Sequence, residues 1–79
     1  MTLIEFLRLP LKEKIKGIWL SGVKGEGEYV RCWDNGQIYE HSYYKKNELH
    51  GECKMWHPNG KLGVHYLFEN GIKVKDYLK

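Results

Sequence analysis

Two stretches of the chain alternate apolar and polar side chains about an Asn-Gly dipeptide. Around Asn59-Gly60, the positions Cys53, Met55 and His57 and then Leu62, Val64, Tyr66 and Phe68 keep the two-residue period of a strand with one buried face. Around Asn35-Gly36, Tyr29, Arg31 and Trp33 lead in, and Ile38, Glu40 and Ser42 lead out on the same period. Asn-Gly supplies the two positive-φ positions of a tight two-residue turn, so each stretch reads as a β-hairpin. A last alternating run, Ile72-Lys73-Val74-Lys75, reads as an edge strand whose lysines guard it against uncontrolled pairing.

A two-residue turn fixes the register. In the first hairpin it pairs Trp33 with Ile38, Arg31 with Glu40 and Tyr29 with Ser42 on one face, and Cys32 with Tyr39, Val30 with His41 and Glu28 with Tyr43 on the other. In the second it sets His57 by Leu62, Met55 by Val64 and Cys53 by Tyr66, which with Phe68 form the expected core face. The expected outer face holds Trp56 over Gly63, Lys54 beside His65 and Glu52 beside Leu67.

The first 20 residues follow a helical period instead. Thr2 and Glu5 have capping-box spacing, Pro10 ends one helix or begins another, and Gly17 stops the second. Leu7, Leu11, Ile15 and Ile18 form the stripe expected to be buried, so this arm is read as a cap on one face of the sheet. Ile18–Ser21 reads as a short first strand, followed by a loop marked by Gly22, Gly25 and Gly27.

The two hairpins are also copies of each other. At an offset of 24 residues Gly60 falls on Gly36, Asn59 on Asn35, Leu62 on Ile38, His65 on His41, Phe68 on Tyr44, and Gly51-Glu52 on Gly27-Glu28. A fixed period of this size marks stacked supersecondary units that cannot bury an apolar face singly. The string Leu49-His50-Gly51, then Trp56, Pro58-Asn59-Gly60-Lys61-Leu62, Tyr66 and Phe68-Glu69-Asn70-Gly71, resembles the MORN-variant repeat of bacterial and viral proteins. The resemblance covers about residues 23–77; in the first copy Cys32, Trp33 and Asp34 replace the usual aromatic-Pro lead, and Asn47 replaces a Gly. It implies an antiparallel sheet of consecutive hairpin repeats, and with the arm as a short N-terminal helical cap the expected fold is mainly β. It also implies an antitoxin-like or other protein-binding role.

Length and composition narrow the rest. Residues 1–79 make a single domain, with an arm at 1–20 and repeats at 23–77, near the size at which one core is marginal. With 42% hydrophobic and 29% charged residues the chain reads as globular, without an apolar run of membrane-spanning length. The acidic Glu5 and early Pro10 do not suit a signal peptide, so the expected location is the cytoplasm of a bacterial or infected host cell. Cys32 and Cys53 occupy different places in the repeat and read as unpaired, reduced thiols.

Little in the sequence suggests catalysis. His41 and His65 lack the spacing of a four-ligand metal site, and no oxyanion donor or glycine-rich helix start accompanies the cysteines. No cofactor, metal ligand or catalytic residue is therefore assigned. Tyr39, His41, Tyr43, Lys54, Trp56, His65 and Leu67 combine aromatic bodies with polar tips on the expected outer face, and are the candidate partner-binding residues. The leading reading is a non-enzymatic module, antitoxin-like or a phage- or virus-encoded inhibitor, that blocks or scaffolds another protein, with a homodimer through the C-terminal edge strand as a related option. The alternative is nucleic-acid binding by lysines and aromatics, weakened by the interspersed Glu28, Glu40, Glu48, Glu52 and Glu69.

Overall fold

The computed structural model describes residues Met1–Lys79. Two short helices, α1 (Leu3–Leu7) and α2 (Leu11–Lys16), precede six strands: β1 (Ile18–Trp19), β2 (Gly27–Cys32), β3 (Ile38–Lys45), β4 (Glu48–Trp56), β5 (Leu62–Glu69) and β6 (Ile72–Asp76). The strands form one antiparallel sheet in sequence order, so every connection is a turn or loop between neighbours. No helix is long and apolar enough to cross a membrane.

The expected pairings hold away from the Asn-Gly turns and fail beside them. Arg31 lies opposite Glu40, Val30 opposite His41, Lys54 opposite His65 and Met55 opposite Val64. Nearer the turns, however, Cys32 pairs with Ile38 and Trp56 with Leu62, each after a register shift. The loops contain three residues rather than two: the Trp33 amide bonds to the Gln37 carbonyl (2.8 Å) and the Gly36 amide to the Trp33 carbonyl (3.0 Å). His57, Lys61 and Gly60 repeat both bonds at 2.8 and 2.9 Å. Only the glycine of each dipeptide has positive φ (89° in both), while the Asn side chain accepts from the amide two residues on. Pro58 suits the second position of such a turn, and the extra residue is absorbed as a bulge at Tyr39 and at Gly63.

The tight two-residue turns are at the opposite end of the sheet. Lys46-Asn47 and Asn70-Gly71 take positive φ at both positions, between the paired Lys45 and Glu48 and the paired Glu69 and Ile72. Each turn is tied back to the strand start before it. The Asn47 amide donates to the Gly25 carbonyl (3.0 Å) and the Gly71 amide to the Leu49 carbonyl (2.8 Å). One residue earlier, the Lys46 amide donates to Glu26 Oε1 and the Asn70 amide to His50 Nδ1. All these bonds recur at the 24-residue offset.

The arm caps only one end of one face. Its capping box forms, with the Glu5 amide on Thr2 Oγ1 and the Thr2 amide on Glu5 Oε1, and Gly17 (φ 84°) ends α2. Phe6, Leu20, Val30 and Cys32 make the core, flanked by Leu3, Leu9, Ile18 and Ile38. The expected stripe is corrected: Leu7, Leu11 and Ile15 stay exposed, because the break at Arg8–Pro10 prevents one stripe from running through both helices.

Candidate functional site

Because the helices lie against Val30 and Cys32, the sheet's two faces differ. The face they cap carries, farther along, His41, Lys54 and His65 in one cross-strand row, with Glu28 and Tyr43 in a neighbouring pair and Glu52 and Leu67 in another. His41 Nε2 meets Glu28 Oε2 at 2.7 Å, and His65 Nε2 meets Glu52 Oε1 at 2.8 Å. The same Glu-His contact thus recurs at the repeat offset, with Lys54 between the two histidines. Both histidines are mostly buried, and Tyr77 stacks on His65 with ring centroids 4.2 Å apart.

Both histidines thus have a carboxylate neighbour that the spacing along the chain does not reveal. Each glutamate stands diagonally across the strand pair from its histidine, within reach of a long side chain. The bond from His65 holds the Glu52 carboxyl below the usual glutamate range, and burial together with Glu28 and Glu52 pushes the Tyr43 hydroxyl up. No group of three His, Cys, Asp or Glu side chains converges as a metal-ligand set.

The other face has no second layer. Its rows carry Trp19, Tyr29, Ser42, Cys53 and Tyr66, then Arg31, Glu40, Met55 and Val64, flanked by Tyr44 and Phe68 at one end and Trp33 and Tyr39 at the other. Of these only Ser42, Cys53 and Glu40 are buried. The buried carboxylate is satisfied, accepting from Arg31 Nε at 3.3 Å and from the Ser42 hydroxyl at 2.8 Å, and no buried side-chain polar atom lacks a partner. The second-hairpin core face read from the sequence is therefore an open, aromatic surface: the arm occupies the opposite side.

The bulges divide the candidate partner-binding set. Tyr39 turns to the open face, where it stacks on Trp33 (ring centroids 4.3 Å) under the Arg31 guanidinium, 4.2 Å away. His41, Tyr43, Lys54, His65 and Leu67 remain together on the capped face. Trp56 sits at the turn end, and it is His57, not Trp56, that lies over Gly63: a Cβ there would meet His57 Nε2 at 2.7 Å. Trp33, Tyr39, Met55, Trp56, His57, Gly63 and Val64 line an open depression of about 290 Å³ on the aromatic face. Trp33, Met55, His57 and Val64 were not among the candidates, since three-residue turn chemistry and a side-specific cap were needed to find them.

Both thiols are free and buried, on opposite faces, and burial pushes both up. A protonated, inaccessible thiol is a poor nucleophile. Compared with known proteins, the chain matches no family model, no curated protein and no solved structure.

Proposed function

We propose that the chain is a non-enzymatic protein-interaction module, of the MORN-like antitoxin or phage-encoded inhibitor kind, acting in the cytoplasm by covering a protein surface. The observation that carries this reading is the uncovered aromatic face, centred on Trp33, Tyr39, Met55 and Val64. A sheet normally buries its apolar face against a second layer, and a contiguous aromatic patch with Met and Arg is the composition of an interface core.

The distribution of charge supports a protein over a nucleic acid. Residues 1–24 hold five cations (Arg8, Lys12, Lys14, Lys16, Lys24) against Glu5 and Glu13, which accounts for the whole +3. Residues 25–79 hold eight cations and eight carboxylates, so the sheet has no net attraction for phosphates.

The test is affinity capture from native lysate, with and without nuclease and at two salt concentrations, comparing wild type with Met55→Lys and with a His65→Ala/Lys54→Ala variant. Capture of a discrete protein that survives nuclease and salt, and is lost with Met55→Lys, supports the reading. Recovery of nucleic acid alone, released by salt, would overturn it. Loss only with the His65/Lys54 variant would move the contact to the capped face.

A further inference from the structure

We infer that the aromatic face is occupied by a second copy of this chain, in a two-fold, face-to-face β-sandwich. The inference rests on reading that face as a protein interface and names its occupant.

The first argument is the missing layer. Only 8 of 79 residues are buried, and the four-residue core lies wholly on the capped side. A chain of this length has little to spare in its core, and a second sheet about 10 Å away would supply what the open face lacks.

The second argument is charge. Arg31 and Glu40 neutralise each other at 3.3 Å in the middle of the face, and at its β6 margin Lys73, 4.5 Å over the Tyr66 ring, is matched by Asp76 opposite Tyr66, so neither an acidic nor a basic partner gains by docking there. An aromatic sheet without net charge does gain, and the protein's own face, with two cations and two carboxylates, is such a surface. A two-fold axis applies one patch to itself, and a neutral patch meets no like-charge penalty when so paired.

The third argument is area. The molecule is a slab 34 × 29 × 17 Å, and a six-stranded sheet about 24 Å wide with strands up to about 30 Å long exceeds its thin axis, so the sheet lies in the broad plane. That face is large enough for the roughly 800 Å² per partner buried in a standard stable interface. In such a dimer the strips of His41, Tyr43, Lys54, His65 and Leu67 stay outward, one on each copy.

Sedimentation velocity of the full chain across about 1–200 μM tests this, since a standard-sized interface falls in or below that affinity range. The expected result is a dimer whose dissociation constant rises about 30-fold or more with Met55→Lys or Val64→Lys, the cost of losing an interface centre. Leu67→Lys, on the opposite face, should leave it unchanged. Should the lysine variants fail to fold, peroxide oxidation of wild type decides. Met55 should become protected as concentration rises while Met1, 53% exposed, does not.

A monomer at the highest concentration, or unprotected Met55 in a dimer, overturns the inference. So does a dimer abolished by Val74→Pro at the β6 edge and indifferent to Met55→Lys, which would indicate edge pairing instead. A monomer that still captures a foreign protein through Met55 removes the dimer and leaves the interaction reading standing. A dimer that captures nothing does the reverse.

Discussion

The indole of Trp33 donates its Nε1–H to the backbone carbonyl of Trp56 at 2.9 Å, joining the two Asn-Gly turns across 23 residues of sequence. Asn35 Nδ2 bonds the Pro58 carbonyl at 2.7 Å over the same separation, so the first turn is fastened to the second by two side chains. Asn35 also holds the Gln37 amide, whereas its repeat equivalent Asn59 holds only the Lys61 amide. Asn35→Ala should therefore cost about 0.5–1.5 kcal/mol more than Asn59→Ala, one hydrogen bond's worth. Urea denaturation of the two variants side by side measures the difference.

Gly25 and Gly22 separate strain from crowding. Both take positive φ (83° and 82°), but a Cβ at Gly22 meets nothing within 4 Å, while one at Gly25 runs into the Asn47 side chain and lies 3.1 Å from its Cα. The Asn47 amide bonds the Gly25 carbonyl, so the neighbour cannot withdraw without loosening the turn. Gly22→Ala should cost about 1 kcal/mol for its backbone alone, and Gly25→Ala about 2–3 kcal/mol. Equal losses in thermal melts would show that this inter-turn contact is slack.

How far these features could be read from the sequence depends on what alternation encodes. A two-residue period fixes which residues share a face, and Arg31–Glu40 and Met55–Val64 were legible for that reason. It does not fix which face is covered: Val30 and Cys32 on one side and Met55 and Tyr66 on the other are equally apolar, and only Phe6 settles the matter. Pro58-Asn59-Gly60 held the signal for a three-residue loop, since proline suits the second turn position and glycine the fourth. A two-residue turn would place Tyr39 on the capped face; the three-residue loop and its bulge place it on the open one. The Glu28–His41 contact was within reach of the register, because long side chains meet along the diagonal of an antiparallel pair.

The Glu52–His65 bond gives stability a defined pH dependence. Glu52 titrates below its ordinary range in the folded protein because His65 bonds its carboxylate. The unfolded chain therefore takes up this proton first as pH falls. The stabilisation is fully present above the unfolded pKa and is lost as pH drops through the folded one. Wild type should exceed Glu52→Gln in stability at neutral pH, with the gap closing under acid conditions. Carboxyl-detected NMR should show Glu52 returning toward the ordinary value in His65→Phe; an unmoved resonance would contradict the assigned cause.

The cysteines should be slow to react. Burial pushes both thiols up, and neither Cys32 (3% exposed) nor Cys53 (2%) is open to a reagent. With the thiolate scarce and the sulfur covered, disulfide reagents at neutral pH should label the native protein at least about 100-fold more slowly than the urea-unfolded chain. Prompt labelling of Cys32 alone would mean that the helical arm opens readily, since Phe6 and the arm cover that side.

Whether the arm is an integral cap turns on Phe6. This ring is fully buried against Leu20, Val30 and Cys32, and the amino terminus beside it bonds the Leu20 carbonyl at 2.8 Å. Removing a buried phenylalanine costs about 3–5 kcal/mol, a large share of the roughly 5–15 kcal/mol that holds a domain together. The helices, five and six residues long, are too short to persist undocked. Phe6→Ala should therefore release the arm and lower the stability of the whole sheet together, in one cooperative transition followed equally by tryptophan fluorescence and by far-ultraviolet circular dichroism. Two separated transitions, with the sheet outlasting the arm, would make residues 1–20 a detachable segment and leave the hairpin repeats stable by themselves.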